Sequence, residues 1–388
     1  MNSSIRHCPV CSGEIHSLGY RLGGVPSRSM TVLENRSAAR TVPRGVIDLA
    51  ECHDCGLVFN RDFDPVTQLD GTEYEESQDF SPTFRGYIRD LVGRLASRHE
   101  LAGARILEIG CGKGGFLATL CEVTGATGVG IDPAVDPDRI PEAARNRLRV
   151  LPEFYGEQHR TLVEEADFIC CRHTLEHILD PSAILGLLRN QLGGRETPIF
   201  LDVPAGDHVL EVGGCWDVYY EHCMYYRDQA FAGMLARSGF EVTRLEREFD
   251  GQYLCVEARV ANGSVGVPPR CPAADVTPLL RRQEAWARWF DREAPPRVVL
   301  WGSGSRAVGL LGALGASARL IGVVDINPHR HGRWMPGFDQ PILAPEELPE
   351  LKPDAIVVMN PAYVLEIGAM LRELGLEVPL LQVDRDPV

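Results

Sequence analysis

A chain of 388 residues exceeds one ordinary hydrophobic core, so two or three domains are expected. Its 44% hydrophobic and 24% charged residues suit a globular protein in water, and a formal net charge of −15 argues against nucleic acid as a partner, because such a surface repels phosphate backbones. No apolar run approaches the ~20 residues that span a bilayer, and the start MNSSIRHCPVC has no apolar signal core, so a cytoplasmic protein with no membrane partner is expected.

In chain order the first signal is a pair of C-x-x-C knuckles, Cys8 with Cys11 and Cys52 with Cys55. Two such turns point four thiolates at one tetrahedral metal and leave no open coordination position, which predicts structural Zn2+; redox-active dithiols are the other reading. The segment between the knuckles, rich in Gly, Pro, Ser and Arg, is expected as a loop excursion from a zinc ribbon. The other eight cysteines are scattered among apolar residues and read as small buried hydrophobes.

Next, Phe84, Tyr87, Ile88, Leu91, Val92 and Leu95 keep helical spacing and predict an amphipathic helix. ARILEIGCGKGGFLATL then reads as strand, glycine turn and helix, a place where backbone and helix N-terminus approach a ligand closely. By itself this turn would also suit a dinucleotide. Glu108 before the turn would repel a pyrophosphate but suits an amine-bearing ligand, and GVGIDP ends a second strand at Asp132, placed for ribose hydroxyls. ADFICCRHTLEHILDP reads as a further strand and a helix start. WDVYYEHCMYY, residues 216 to 226, crowds four tyrosines, a glutamate and a histidine together, as an active site or as an aromatic layer over a cleft. The last third repeats the pattern: RVVLWGSGSRAVGLLGAL places Gly302, Gly304 and Ala307 as G-x-G-x-x-A, with Asp325 about twenty residues on, which keeps an NAD-dependent oxidoreductase in view. The expected fold class is α/β, with an N-terminal zinc-binding domain over 1–70, a central Rossmann-like domain over 71–265 and a smaller Rossmann-like domain over 266–388.

The E-x-G-x-G core with its later acidic residue resembles class I S-adenosylmethionine methyltransferases over roughly residues 100 to 210. The resemblance implies that Gly110 and Gly112 face the methionine part of the cofactor, with Glu108 close by and Asp132 on the ribose. It implies a site without metal at HTLEH despite the i, i+4 spacing of His173 and His177; His173 lines the site, while Glu176 and His177 cap or pack. Phe154 and Tyr155 follow the third strand, near where adenine sits in this fold, as a stacking platform or as core.

Taken whole, two knuckles, a methyltransferase core and a Rossmann-like tail resemble the C-methyltransferases of nucleotide-linked deoxysugars, which methylate a carbon beside a ketone on a deoxythymidine-diphosphate (dTDP) sugar. The resemblance implies a small-molecule partner of that kind, a monomer or small homo-oligomer, and a tail that helps to bind substrate. The family's Y-x-E-H falls on Tyr219, Glu221 and His222, implying His222 as the base that forms the enolate, Glu221 as its orienter or a substrate-hydroxyl ligand, and Tyr219 as a donor to substrate. Tyr74 is the counterpart of a further family tyrosine; Tyr225 and Tyr226 are expected to pack. Tyr220 stands where the family has a histidine. The alternative expectation is an O-, N- or C-methyltransferase acting on another small metabolite.

Overall fold

The computed structural model describes residues 4–65, 74–140, 142–315 and 317–387, so the border expected at residues 70 and 71 lies outside the described residues. The chain opens with three strands, β1 (Ile15–Pro26), β2 (Arg44–Cys52) and β3 (Val58–Asn60), paired antiparallel in that order. Half of the stretch between the knuckles is therefore strand rather than loop. Its glycines hid this in the sequence: Gly19 and Gly24 sit at positive φ where the β1–β2 register shifts, so they serve as bulges within the ladder.

The helix Pro82–His99 follows. Its Ser81 cap accepts from the Phe84 N–H, Pro82 sits in the first turn, and its buried face is Phe84, Ile88, Leu91, Val92 and Leu95. Five parallel strands come next: β4 (Arg105–Ile109), β5 (Thr127–Ile131), β6 (Leu148–Leu151), β7 (Phe168–Arg172) and β8 (Ile199–Pro204). The two-residue β9 (Met224–Tyr225) leaves this layer and pairs with β3, completing the N-terminal sheet. β10 (Phe240–Glu248) and β11 (Tyr253–Val260) close the central sheet in the order β10-β11-β8-β7-β4-β5-β6, with β11 antiparallel to both neighbours.

The C-terminal third forms a parallel sheet of β12 (Val298–Trp301), β13 (Leu320–Val324), β14 (Ile342–Leu343), β15 (Ala355–Val358) and β16 (Leu380–Gln382), in the order β14-β13-β12-β15-β16. Both parallel layers read as continuous apolar runs because helices cover both faces. The largest buried cluster draws on all three sheets, with Tyr20, Phe59, Ile169, Trp216, Trp286 and Leu310 in it. In the central sheet the strand order reverses at β4, between β5 and β7, the place where open α/β sheets leave a crevice beyond their carboxyl ends. Among the described residues no helix is long and apolar enough to cross a membrane.

Candidate active site

A cavity of about 620 Å³ opens at that reversal, and it is lined from both glycine turns. From the first come Glu108, Gly110, Gly112 and Asp132; from the second come Gly302, Gly304 and Asp325. The central layer adds His173, Glu176 and His177, the tyrosine-rich stretch adds Tyr219, Glu221 and His222, and Tyr74 and Phe154 complete the set.

The first turn follows from local sterics. Gly110 has φ +73°, and a Cβ there would lie 2.0 Å from Thr174 Oγ1. Asp132 holds the turn shut: its Oδ2 accepts from the Gly112 N–H at 2.9 Å and its Oδ1 from the Ala134 N–H at 2.7 Å. Any ribose hydroxyl would share oxygens already tied to backbone. The second turn repeats the device. Asp325 Oδ2 accepts from the Ser303 N–H at 2.8 Å and from its hydroxyl at 2.6 Å, while Oδ1 accepts from the Asn327 N–H at 2.9 Å.

Glu108 is the penultimate residue of β4, with Oε2 buried and unpartnered, and burial pushes its carboxyl up to about 8, against the pull of Arg172. Such a group welcomes a cationic or amine ligand that would ionise it. Arg172 is spent locally: it donates to Asp202 Oδ2 at 2.7 and 2.9 Å and lies 4.2 Å from the centre of the Phe116 ring. Phe154 is 59% exposed, so it stands at the rim of the cavity rather than in the core, whereas Tyr155 is half-buried and its hydroxyl donates to Gln191.

The tyrosine-rich stretch divides by side. Tyr219, Glu221 and His222 line the cavity, but Tyr220 does not. Its ring packs against Phe63 and its hydroxyl accepts from the Asp64 N–H at 2.7 Å, so the residue that differs from the family faces the N-terminal sheet. Tyr225 and Tyr226 are buried away from the cavity, Tyr226 donating to the Leu175 carbonyl. The Tyr219 hydroxyl and His222 Nε2 share a hydrogen bond of 2.7 Å. Burial, reinforced by His177, His173 and Arg306, holds His222 well below the ordinary imidazole value, so the ring is neutral with a lone pair. Burial raises the phenols of Tyr219 and Tyr74, which keeps both as donors.

Glu221 is placed differently from the orienting role expected for it. Its carboxylate accepts from the Ser29 N–H at 2.7 Å and from the Ser29 hydroxyl, tying the stretch to the segment after β1. The carboxylate beside His222 is Glu176, with Oε1 3.9 Å from Nε2. Glu176 and His177, expected only to cap or pack, both line the cavity. His173 has φ +45°; its Nδ1 lies 3.6 Å from Glu176 and its Nε2 3.3 Å from Asp202. Sequence reasoning also missed Glu76, whose Oε1 accepts from the Lys113 N–H across the first turn, and Arg306, which donates to Asp217 and Gln252 beneath the second. Each depends on contacts distant in sequence, and no local pattern announces them.

At the N-terminus, Cys8, Cys11, Cys52 and Cys55 bring their sulfurs within 4.8 Å of one another. The Sγ–Sγ separations of 3.6 Å (Cys8–Cys55) and 3.4 Å (Cys11–Cys52) approach the ~3.8 Å edge of a tetrahedron with 2.3 Å zinc–sulfur bonds. The Val10 and Asp54 N–H groups donate to Cys8 and Cys52 sulfurs, as metal-bound thiolates require. The cluster is compatible with zinc.

Comparison with known proteins bears on this geometry. Residues 82–245 match the family model described as a methyltransferase domain, and residues 290–376 match the one described as a C-methyltransferase C-terminal domain. The chain is similar to the ubiquinone biosynthesis O-methyltransferase of Pseudomonas savastanoi pv. phaseolicola (30% identity over 118 residues, 29% of this chain and 47% of that one). It is similar also to that of Pseudomonas putida strain GB-1 (33% over 98 residues, 24% and 42%). The chain thus spans about half the length of the curated relatives it matches. Solved structures similar to part of it include a magnesium protoporphyrin IX methyltransferase from Synechocystis (TM-score 0.34, 16% identity, 46% of this chain and 84% of that one). Another is a methyltransferase from Aquifex aeolicus (TM-score 0.36, 18%, 51% and 100%). Two consecutive stretches of the chain thus match methyltransferase family models, and the first of them spans much of the α/β central layer. In particular, the chain carries a methyltransferase domain followed by a C-methyltransferase C-terminal domain.

Proposed function

We propose that the chain moves a methyl group from S-adenosylmethionine to a carbon beside the ketone of a nucleotide-diphosphate (dTDP) 4-keto-deoxysugar, through a base-generated enolate. The observation that supports this most is one cavity shared by both glycine turns and the Tyr219–His222 pair. One turn is available to the methyl donor and the other to a phosphorylated acceptor, with a neutral base between them.

In this reading Glu108 meets the donor's amino group, Gly110 and Gly112 let its methionine part approach, Asp132 adds a ribose contact, and Phe154 and His173 border the rest. When bound, S-adenosylmethionine supplies an electrophilic methyl group. The ketone oxygen takes the Tyr219 proton donor, which frees His222 Nε2 to accept the carbon-bound proton. Tyr219 and Tyr74 then hydrogen-bond the enolate oxygen. Glu221, fixed by Ser29, positions the stretch. The thiolate cluster carries structural zinc, and the chain divides into a zinc-binding domain, a methyltransferase domain and a C-terminal substrate-binding domain.

The test is His222→Asn. Turnover on keto-sugar nucleotides falls by roughly 10²–10⁴, the usual share of a positioned base, while affinity for S-adenosylhomocysteine stays within about twofold. Solvent-deuterium exchange at the ketone-adjacent carbon falls with turnover. Exchange that is absent in the wild type during transfer points to an oxygen or nitrogen acceptor instead. A ligand at 100 Kd adds ~2.7 kcal/mol of stability; S-adenosylhomocysteine shows this gain and NAD does not. Stabilisation by NAD alone defeats the reading.

A further inference from the structure

Glu176 is 1% exposed, and neither of its carboxylate oxygens has a hydrogen-bond partner. A buried carboxylate in that state is costly unless a cation stands beside it. The arginine at hand, Arg172, is already committed to Asp202. What does surround Glu176 is imidazole. One donor atom each from Glu176, His177 and His222 lies within 4.8 Å of the other two, and the Glu176 Oε1 to His222 Nε2 separation is 3.9 Å. Ligands 2.0–2.2 Å from a tetrahedral ion sit ~3.4 Å apart, so a small side-chain rotation closes the set. His177 Nδ1–H donates to the Glu221 carbonyl at 3.0 Å, the kind of backbone contact that orients a metal-ligating imidazole.

We propose that Glu176, His177 and His222 form a second metal site, for one divalent borderline cation such as Zn2+ or Co2+, distinct from the four-thiolate cluster. Two imidazoles and one carboxylate match that ion class rather than Mg2+ or Ca2+, which prefer all-oxygen shells. Binding takes His222 Nε2 away from the Tyr219 phenol, so cation and phenol compete for one ring nitrogen. The site rests on this geometry and not on the identity of the methyl acceptor.

The experiment titrates full-length protein, with its thiolate cluster first filled by one equivalent of Zn2+, with Co2+ followed by optical absorption and X-ray absorption. The expected result is one further equivalent with nitrogen and oxygen neighbours and no sulfur. Glu176→Gln weakens that equivalent at least tenfold, and Tyr219→Phe, which keeps the ring and removes the competing O–H, tightens it severalfold. Failure of the wild type to bind a second equivalent, or sulfur in its coordination shell, overturns the site. Should Glu176→Gln not fold, the wild-type stoichiometry and Tyr219→Phe still decide. Turnover measured across the same titration separates the two proposals. Inhibition that tracks occupancy supports both, while an occupied site with unchanged turnover keeps the metal site and removes His222 as the base.

Discussion

Gly110→Ala offers a perturbation whose size can be worked from coordinates. Gly110 has φ +73°, and its new Cβ would stand 2.0 Å from Thr174 Oγ1, 2.7 Å from Cγ2 and 2.8 Å from Cβ. The left-handed backbone alone costs an L-residue ~1–2 kcal/mol, and forcing a methyl into a packed site adds ~1–3 kcal/mol, giving roughly 2–5 kcal/mol together. Thr174→Ala removes the two nearest obstacles but forfeits the hydroxyl's hydrogen bond to the Arg172 carbonyl at 2.8 Å, costing ~1 kcal/mol by itself. The double variant should therefore be less damaged than the sum of the singles, by ~1–2 kcal/mol. Urea unfolding of all four proteins reads this coupling, and S-adenosylhomocysteine titration reads the consequence at the turn. Additivity within ~0.5 kcal/mol, or a neutral Gly110→Ala, would refute the steric argument.

Glu108, raised to about 8 by burial, binds its proton more tightly folded than unfolded, so its contribution to ligand-free stability is full below the ordinary carboxylate range and lost as pH rises through about 8. Between pH 6 and 7 the slope approaches about −1.4 kcal/mol per pH unit from this group, and Glu108→Gln flattens it in thermal melts; an unchanged slope defeats the assignment. The imidazole of His222 is depressed, so its effect has the opposite sign and is complete above about pH 6.5. Asp202→Ala leaves Arg172 buried without its partner and should cost ~3–5 kcal/mol by urea unfolding, with a much smaller loss reading against the pairing. If the four thiolates hold Zn2+, Cys8→Ser should lower metal content by native mass spectrometry and open the N-terminal strands to protease; full metal retention argues against four-thiolate ligation.

Local patterns carried much of this architecture. The spacing of Phe84 to Leu95 gave a helix because its buried face repeats every three or four residues. Both glycine turns were visible because a strand, a glycine-rich corner and a helix lie consecutively in the chain. The β1–β2 ribbon was hidden because bulge glycines depress strand propensity while the ladder, a nonlocal object, overrides it. The site was half legible. Tyr219 and His222 stand three residues apart, so their pairing has a local cause, but Ser29 reaches Glu221 only after β1 is docked. The isolation of Glu176 was not legible because its peculiarity is the lack of a hydrogen-bond partner, which no sequence pattern records.

The two-residue strand β9 has a consequence for how this enzyme is made. It follows the Tyr219–His222 segment directly and finds its partner in β3, far back in the chain. A ribosome therefore releases the N-terminal ribbon with one edge incomplete, and that edge waits through the whole first run of the central sheet before β9 emerges to cover it. Until then the nascent ribbon offers bare strand hydrogen-bonding groups to any neighbour. The chain acquires its Tyr–His pair and seals its oldest edge at the same moment of synthesis. Formation of the Tyr–His pair and protection from misassembly are thus timed by one short pairing, and slowing translation just before Trp216 should lengthen the interval in which a chaperone is needed.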